Sequence, residues 1–87
     1  MVIALSHLGV GESVWPYRSI DVIENTEGID AVLDGHSHTV IKEEHYQDKA
    51  GNDVILTQTG AEFAYIGCLV IGEDGSMRTV FVNSNRI

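Results

Sequence analysis

Two short apolar runs, separated by an amphipathic segment, open the chain. Residues 2–5 and 29–33 are the apolar runs, and their composition is typical of strands buried on both faces of a sheet. Between them, the spacing of Ile20 and Ile23 fits a short helix with Ser19 as its N-cap. A strand, a helix and a strand in this order predict a βαβ unit, whose two parallel strands lie side by side.

The rest of the chain predicts β-structure alone. Turn-forming residues at 48–53 and an Asp-Gly pair at 74–75 separate further strand-like segments, and Asp-Gly is a strong hairpin signal. Two hairpins are therefore expected, pairing residues 40–46 with 54–59 and residues 65–71 with 77–82. The sequence predicts one α/β domain over residues 1–87: a βαβ unit followed by antiparallel β-hairpins.

Composition and charge exclude several classes of protein. Apolar residues make up 44% of the 87 residues, which excludes a disordered tail. Thirteen acidic and five basic residues give a net charge of −8, which argues against nucleic acid or an anionic membrane surface as a partner. No apolar stretch is long enough to span a membrane, and no basic segment precedes residue 2 as in a signal peptide. A phosphate ester would need a bound cation to approach so acidic a chain.

Three further features have ordinary structural interpretations. Cys68, the only cysteine, lies in the apolar run 68–71 and is expected to be a buried thiol; alone, it excludes an internal disulfide and a cysteine-based zinc cage. The segment Trp15-Pro16-Tyr17 is expected to pack the helix start against the core, with the alternative that its rings line a site and stack on a nucleobase. His45, in a polar strand, is interpreted as a solvated side chain.

The other three histidines follow the two parallel strands. His7 comes after the first strand, and His36 and His38 come after the second. The carboxyl ends of parallel strands meet at one edge of a sheet, and neighbouring strands are about 4.8 Å apart, so the three imidazoles are expected to converge. In extended backbone, two residues that are two positions apart project to the same side. Imidazole is a common ligand of Zn, Mn, Fe and Co, which predicts a metal site; the alternative is three solvated loop histidines.

Two motifs in this region resemble the calcineurin-like metallophosphoesterases. They are Ser6-His7-Leu8-Gly9 and Gly35-His36-Ser37-His38, and they are closest to the branch of 5′-nucleotidases and 2′,3′-cyclic-nucleotide 2′-phosphodiesterases. Residues 58–61 and 65–67 resemble the closing strands of that branch. The resemblance implies half of a two-layer sandwich and a centre of two divalent transition metal ions (Mn, Zn, Fe or Co). His7 and His36 would bind one ion and His38 the other.

Three motifs that precede the matched region in that family are not found before it in this chain. They are Asp-x-His, Gly-Asp-x-x-Asp and Gly-Asn-His-[Glu/Asp], which supply the bridging carboxylate, further ligands and the histidine that assists the leaving group. The only Asp-x-His here, Asp34-Gly35-His36, overlaps the Gly-His-Ser-His motif itself. Asp34, which precedes Gly35, is not a ligand position in the family. The resemblance therefore implies the C-terminal half of a catalytic domain, with no catalytic residue of its own, weak metal binding and little or no turnover in isolation.

The larger protein implied by the resemblance is a hydrolase of nucleotide catabolism. It would act on nucleotides, cyclic nucleotides or related phosphate esters, outside the cytoplasm, in the periplasm or at the cell surface. Two alternatives stay open for the chain itself. It could be a non-catalytic fragment that forms a homo-oligomer through an exposed sheet edge, or a small binding module whose histidines hold a metal ion or are merely solvated.

Overall fold

The computed structural model describes residues 1–83 and shows an α/β fold with a mixed sheet and a separate hairpin sheet. A 3₁₀ turn at Glu12–Val14 follows the first strand. The other elements in chain order are β1 (Ile3–Leu5), α1 (Ser19–Asn25), β2 (Ala31–Asp34), β3 (Val40–Gln47), β4 (Asp53–Thr59), β5 (Tyr65–Ile71) and β6 (Met77–Asn83). The predicted α/β class, with its βαβ unit and two hairpins, is confirmed.

The main sheet has the strand order β1-β2-β4-β3. β1 pairs in parallel with β2, and β2 pairs in parallel with β4, while β3 runs antiparallel to β4. Three strands therefore point the same way, and their carboxyl ends lie at one edge. The loops 6–11, 35–39 and 60–64 leave the sheet at this edge, which is where open α/β sheets place their ligands.

The core lies between α1 and one face of the main sheet. Ile23 of the helix is fully buried against Val32, Ile41, Val54 and Leu56, which come from three strands. A buried aliphatic side chain of this size contributes about 1.5–3 kcal/mol relative to an exposed one. This cluster is what holds the seven-residue helix, which is too short to be stable alone.

The β5–β6 hairpin covers part of the opposite face of the main sheet. Thr79 of β6 joins the two sheets: its amide donates to Glu43 Oε1 (2.8 Å) and its hydroxyl donates to the Lys42 carbonyl. Beneath this contact, Ile55 and Thr57 of β4 are 3% and 6% exposed. The interior residues of β4 are thus buried on both of its faces.

The helix does not begin as predicted. Arg18 is the N-cap residue, and its amide donates to the Asp21 carboxylate at 2.9 Å, which closes the first turn. Ser19 is the first residue of α1, is fully buried, and its hydroxyl donates to the Gly9 carbonyl at 3.2 Å. The prediction of Ser19 as N-cap is therefore wrong, because its hydroxyl fastens the loop after β1 instead.

Two predictions of burial are also wrong. Cys68 is exposed, because it lies with Ile66 on the face of the hairpin that points away from the main sheet. Trp15 and Tyr17 are 62% and 75% exposed, so their rings do not pack the helix start against the core. The turn between the 3₁₀ segment and α1 is instead stabilised by backbone hydrogen bonds, such as the one that the Tyr17 amide donates to the Val14 carbonyl at 2.7 Å.

A bilayer-crossing helix is not found among residues 1–83, where the only α-helix has seven residues.

Candidate functional site

The loop after β1 is fixed by the last residue of β2. The Asp34 carboxylate accepts hydrogen bonds from the Ser6 hydroxyl (2.8 Å), the Leu8 amide (2.9 Å) and the Gly9 amide (3.0 Å). The Ser6 amide also donates to the Leu33 carbonyl (2.9 Å), which continues the pairing of β1 with β2. Because these bonds lie on both sides of His7, they hold the backbone from which its side chain leaves.

The Asp34 carboxylate is already engaged by the hydrogen bonds that hold the loop after β1. Burial raises the pKa of the Asp34 carboxyl, but the Leu8 amide and nearby serine hydroxyls outweigh this effect, so its pKa lies below the usual value. The group is therefore an anion at neutral pH, with its oxygens already taken by donors. This agrees with the expectation that Asp34 does not replace a missing metal ligand.

The loop after β2 carries His36 and His38 in unusual backbone conformations. Their φ angles are +79° and +53°, in the left-handed region that residues other than glycine rarely adopt. Such residues cost on the order of 1–3 kcal/mol each and persist only where the surroundings enforce them. The extended backbone assumed for this pair does not occur, so the two-residue spacing does not by itself place both rings on one side.

Gln58, near the end of β4, holds this loop in its conformation through hydrogen bonds. Its side chain is 1% exposed, and its Oε1 accepts from the Thr39 amide (2.9 Å) and the Ser37 hydroxyl (3.2 Å). The Ser37 hydroxyl oxygen in turn accepts from the Val10 amide (3.2 Å), which ties the second loop to the first. Since the Thr39 amide can only donate, the oxygen of the Gln58 amide must face it.

His7 and His36 come together between these two loops. His36 Nδ1 and His7 Nε2 are 3.3 Å apart, with ring centroids 5.0 Å apart and planes at 70°. Two nitrogens that share one ion at 2.0–2.1 Å, with angles between 90° and 109°, are about 2.9–3.4 Å apart. Both side chains are exposed at the sheet edge, so the pair has the spacing of two ligands of one metal ion and is open to solvent.

Two glycines allow this close approach. A Cβ on Gly35 would lie 3.3 Å from His7 Nδ1, and a Cβ on Gly9 would lie 3.1 Å from His36 Cδ2. Gly9 also has φ +84°, which a larger residue would adopt only with strain. The glycines of the two motifs therefore make room for the imidazoles of the opposite loop.

The third predicted ligand is not gathered into the pair. His38 is exposed, and no group of three or more His, Cys, Asp or Glu residues in the described part of the chain is placed to hold a metal ion. The structure thus brings together two of the three histidines. The site made by all three stays a prediction.

A third loop borders the same edge. The Gly60 amide donates to the Thr39 carbonyl at 3.0 Å, which joins loop 60–64 to loop 35–39, the loop that carries His36 and His38. Glu62 and Phe63 have φ angles of +58° and +57°, and the Phe63 ring is 88% exposed. This loop surrounds an open depression that extends to Thr59 and Tyr65.

His45 has a more specific environment than the sequence suggested. Its Nδ1 lies 2.7 Å from an Asp53 oxygen and its Nε2 lies 2.8 Å from a Glu43 oxygen. These two carboxylates, Glu43 foremost, raise the pKa of His45 above its usual value. His45 is exposed, as expected for a solvated side chain, and because Glu43 also accepts from the Thr79 amide, its ion pair is linked to the contact between the two sheets.

Sequence reasoning did not find the hydrogen bonds by which Asp34 and Gln58 hold the loops that carry the histidines. A signal for Gln58 was present: it continues the alternation of Val54 and Leu56, so an amide falls at a position that should be buried. Its Nε2 is buried without a hydrogen-bond partner among residues 1–83, so the oxygen alone makes its contacts.

Comparisons of the chain with protein-family models, curated proteins and solved structures return no match. The functional proposal therefore depends on the motifs and on the geometry of the histidine pair.

Proposed function

We propose that this chain contributes His7, His36 and His38 to the two-metal centre of a phosphoesterase that hydrolyses nucleotides or cyclic nucleotides. The observation that supports it most strongly is the 3.3 Å separation of His7 Nε2 and His36 Nδ1 at the carboxyl edge of parallel strands. The fold would then be half of a metallophosphoesterase sandwich, and the larger protein would act outside the cytoplasm.

The donor set fits a divalent transition ion. Two imidazole nitrogens at this spacing suit Mn, Zn, Fe or Co, and a bound ion of this kind polarises phosphate oxygens and activates water. His7 and His36 hold the ion, and the chain's net charge of −8 makes a bound cation necessary for an anionic ester to approach. The remaining ligands would come from the three family motifs that precede the matched region, so the isolated chain is expected to bind one ion weakly and to hydrolyse little or nothing.

Titration of the 87-residue chain with Co²⁺, followed by calorimetry, tests this proposal. His7→Ala and His36→Ala should each abolish measurable binding. His45→Ala is the matched control, because it removes an exposed histidine that lies outside the pair, and it should leave the affinity unchanged. Equal affinities in all four proteins would contradict the proposal. Hydrolysis of an aryl phosphate monoester and diester with Mn²⁺ completes the test: turnover that is lost in His36→Ala would show that the chain is active by itself.

A second candidate function, self-association, is favoured by the outer face of the β5–β6 sheet. Ile66 and its cross-strand partner Val82 are 44% and 36% exposed there, and exposed Cys68 lies beside them. An edge offers a second route, because β1 and β3 end the strand order, but β1 has only three residues and β3 carries charged residues, and both features protect edges. The apolar face is therefore the better candidate surface.

The chain exposes more surface than a compact chain of its mass. The chain measures 40 × 38 × 15 Å, and its accessible surface is 5654 Å². A compact chain of 9.5 kDa is expected to expose about 5050 Å². The excess of about 600 Å² approaches the roughly 800 Å² that each partner buries in a standard interface.

Sedimentation over a range of concentrations tests self-association. Ile66→Lys should shift the chain to monomer, whereas Ile71→Lys should not, because Ile71 is equally exposed (44%) but alternates onto the opposite face of β5. A chain that is monomeric at every concentration would exclude this candidate.

A further inference from the structure

Asp34 and Gln58 occupy paired positions at the carboxyl ends of β2 and β4. The parallel register places Asp34 opposite Gln58. Asp34 accepts hydrogen bonds from the loop that carries His7, and Gln58 accepts hydrogen bonds from the loop that carries His36 and His38. Both form their hydrogen bonds with loop backbone and serine hydroxyls rather than with an imidazole. They are therefore able to set the position of the histidines without touching a metal ion.

Each acts on a different loop. Asp34 receives the Leu8 and Gly9 amides and so restrains the backbone immediately after His7. Gln58 receives the Thr39 amide and the Ser37 hydroxyl, on either side of His38 and directly after His36. Because the strands hold Asp34 and Gln58 in register, the two loops are held at a fixed separation as well.

The strained loop conformation makes this restraint necessary. His36 and His38 both adopt positive φ angles, which the loop would relax if nothing opposed it. The bonds that oppose this relaxation converge on Gln58 Oε1 and on the Ser37 hydroxyl, which links to the Val10 amide of the first loop. Removal of the Gln58 oxygen would leave the Thr39 amide and the Ser37 hydroxyl without their acceptor on β4, and so would weaken the restraint on the second loop.

We propose that Asp34 and Gln58 are positioning residues that set the His7–His36 separation and thereby the metal affinity of the pair. The effect on affinity rests on the proposed function, whereas the separation is a property of the metal-free chain. Residues that orient metal ligands in this indirect way typically change affinity 10- to 100-fold when they are replaced.

The chain offers a matched control for each substitution. Asp34→Ala removes the acceptor of two backbone amides, and Asp48→Ala does the same in the β3–β4 turn, where Asp48 accepts from the Ala50 and Asn52 amides (2.9 Å each). Gln58→Leu is matched by Thr57→Val, which removes a buried hydroxyl that donates to the Ile41 carbonyl at 2.8 Å. The control substitutions should lower the unfolding free energy but leave the hydrogen bonds of loops 6–11 and 35–39 in place.

Two measurements on the full chain test the proposal. In the metal-free protein, nuclear Overhauser effects between the His7 and His36 rings should be present in the wild type and the controls, and absent in Asp34→Ala and Gln58→Leu. The affinity for Co²⁺ should fall roughly 10- to 100-fold in those two variants and stay within twofold in the controls. If Asp34→Ala does not fold, Asp34→Asn is measured in its place: its amide keeps one acceptor oxygen and replaces the other with an NH₂ group that cannot accept, so the affinity should be intermediate.

The outcomes separate this proposal from the proposed function. Inter-ring contacts that survive in folded Asp34→Ala and Gln58→Leu, that are missing from the wild type, or that vanish equally in the controls would each overturn the positioning role. Contacts that vanish only in the two variants, together with a wild type that binds no Co²⁺, would support the positioning role and refute the metal site.

Discussion

Replacement of Gly9 by alanine should damage the histidine pair more than it damages the fold. Gly9 has φ +84°, and a Cβ there would lie 3.1 Å from His36 Cδ2 and 3.3 Å from Ser37 Cβ. Gly28 is a matched control: its φ is +94°, and apart from its chain neighbours no atom of residues 1–83 lies within 4 Å of the added Cβ. The two substitutions therefore have similar backbone strain and differ in the contacts with His36 and Ser37.

The loss of unfolding free energy in each variant follows from the backbone strain and from the crowding of the added Cβ. Left-handed strain costs alanine about 1–2 kcal/mol, and the stiffer unfolded chain returns roughly 0.4–1 kcal/mol, which leaves Gly28→Ala destabilised by about 1 kcal/mol. Crowding adds about 1–3 kcal/mol to Gly9→Ala, because the His36 ring must move away. We therefore expect Gly9→Ala to lose about 2–4 kcal/mol of unfolding free energy.

Urea denaturation and Co²⁺ titration of the same two variants measure these effects. Gly9→Ala should have the lower unfolding midpoint and a Co²⁺ affinity reduced by at least tenfold, whereas Gly28→Ala should bind Co²⁺ as the wild type does. Equal midpoints together with equal affinities would refute the close packing of Gly9 against His36.

Other residues make simpler predictions. Because the pKa of His45 is raised, its ion pairs with Glu43 and Asp53 stabilise the fold fully below its ordinary pKa of about 6.5. This stabilisation is lost as the pH rises through the raised pKa. In thermal melts from pH 5.5 to 9, the difference in melting temperature between wild type and His45→Gln should therefore shrink. A midpoint difference that is independent of pH would contradict this. Ile23→Ala should cost about 2–5 kcal/mol in urea denaturation, because the side chain is fully buried in the core, and a loss below 1 kcal/mol would contradict that packing. Cys68 should react with a thiol reagent in the native chain as fast as in the unfolded one, and protection in a monomer would place it in the interior.

The order of elements could be predicted because the local signals agree with the fold. Apolar runs, an amphipathic helix and two turn-rich connections define the strands within one or two residues, as for 29–33 against Ala31–Asp34. The burial of Cys68 could not be predicted in this way. A run such as 68–71 is typical of a strand covered on both faces, but no residue of β5 is fully buried, and Ile66, Gly67 and Cys68 are all exposed.

The site could be predicted in part for the same reason. Parallel strands bring their carboxyl ends together whatever the loop conformation, so the approach of His7 and His36 follows from topology. The position of His38 depends on two positive φ angles that the spacing of residues does not reveal. The role of Gln58 depends on hydrogen bonds across 19 to 21 residues of sequence, which exist only in the folded chain.

The account depends most on the claim that one metal ion binds His7 and His36 together. Ring-nitrogen NMR spectra of the ¹⁵N-labelled chain, recorded during titration with Zn²⁺, test it directly. His7 Nε2 and His36 Nδ1 should shift at the same Zn²⁺ concentration, while both ring nitrogens of His45 stay unchanged. Shifts of the two nitrogens at different concentrations, or none at either, would contradict a shared metal ion.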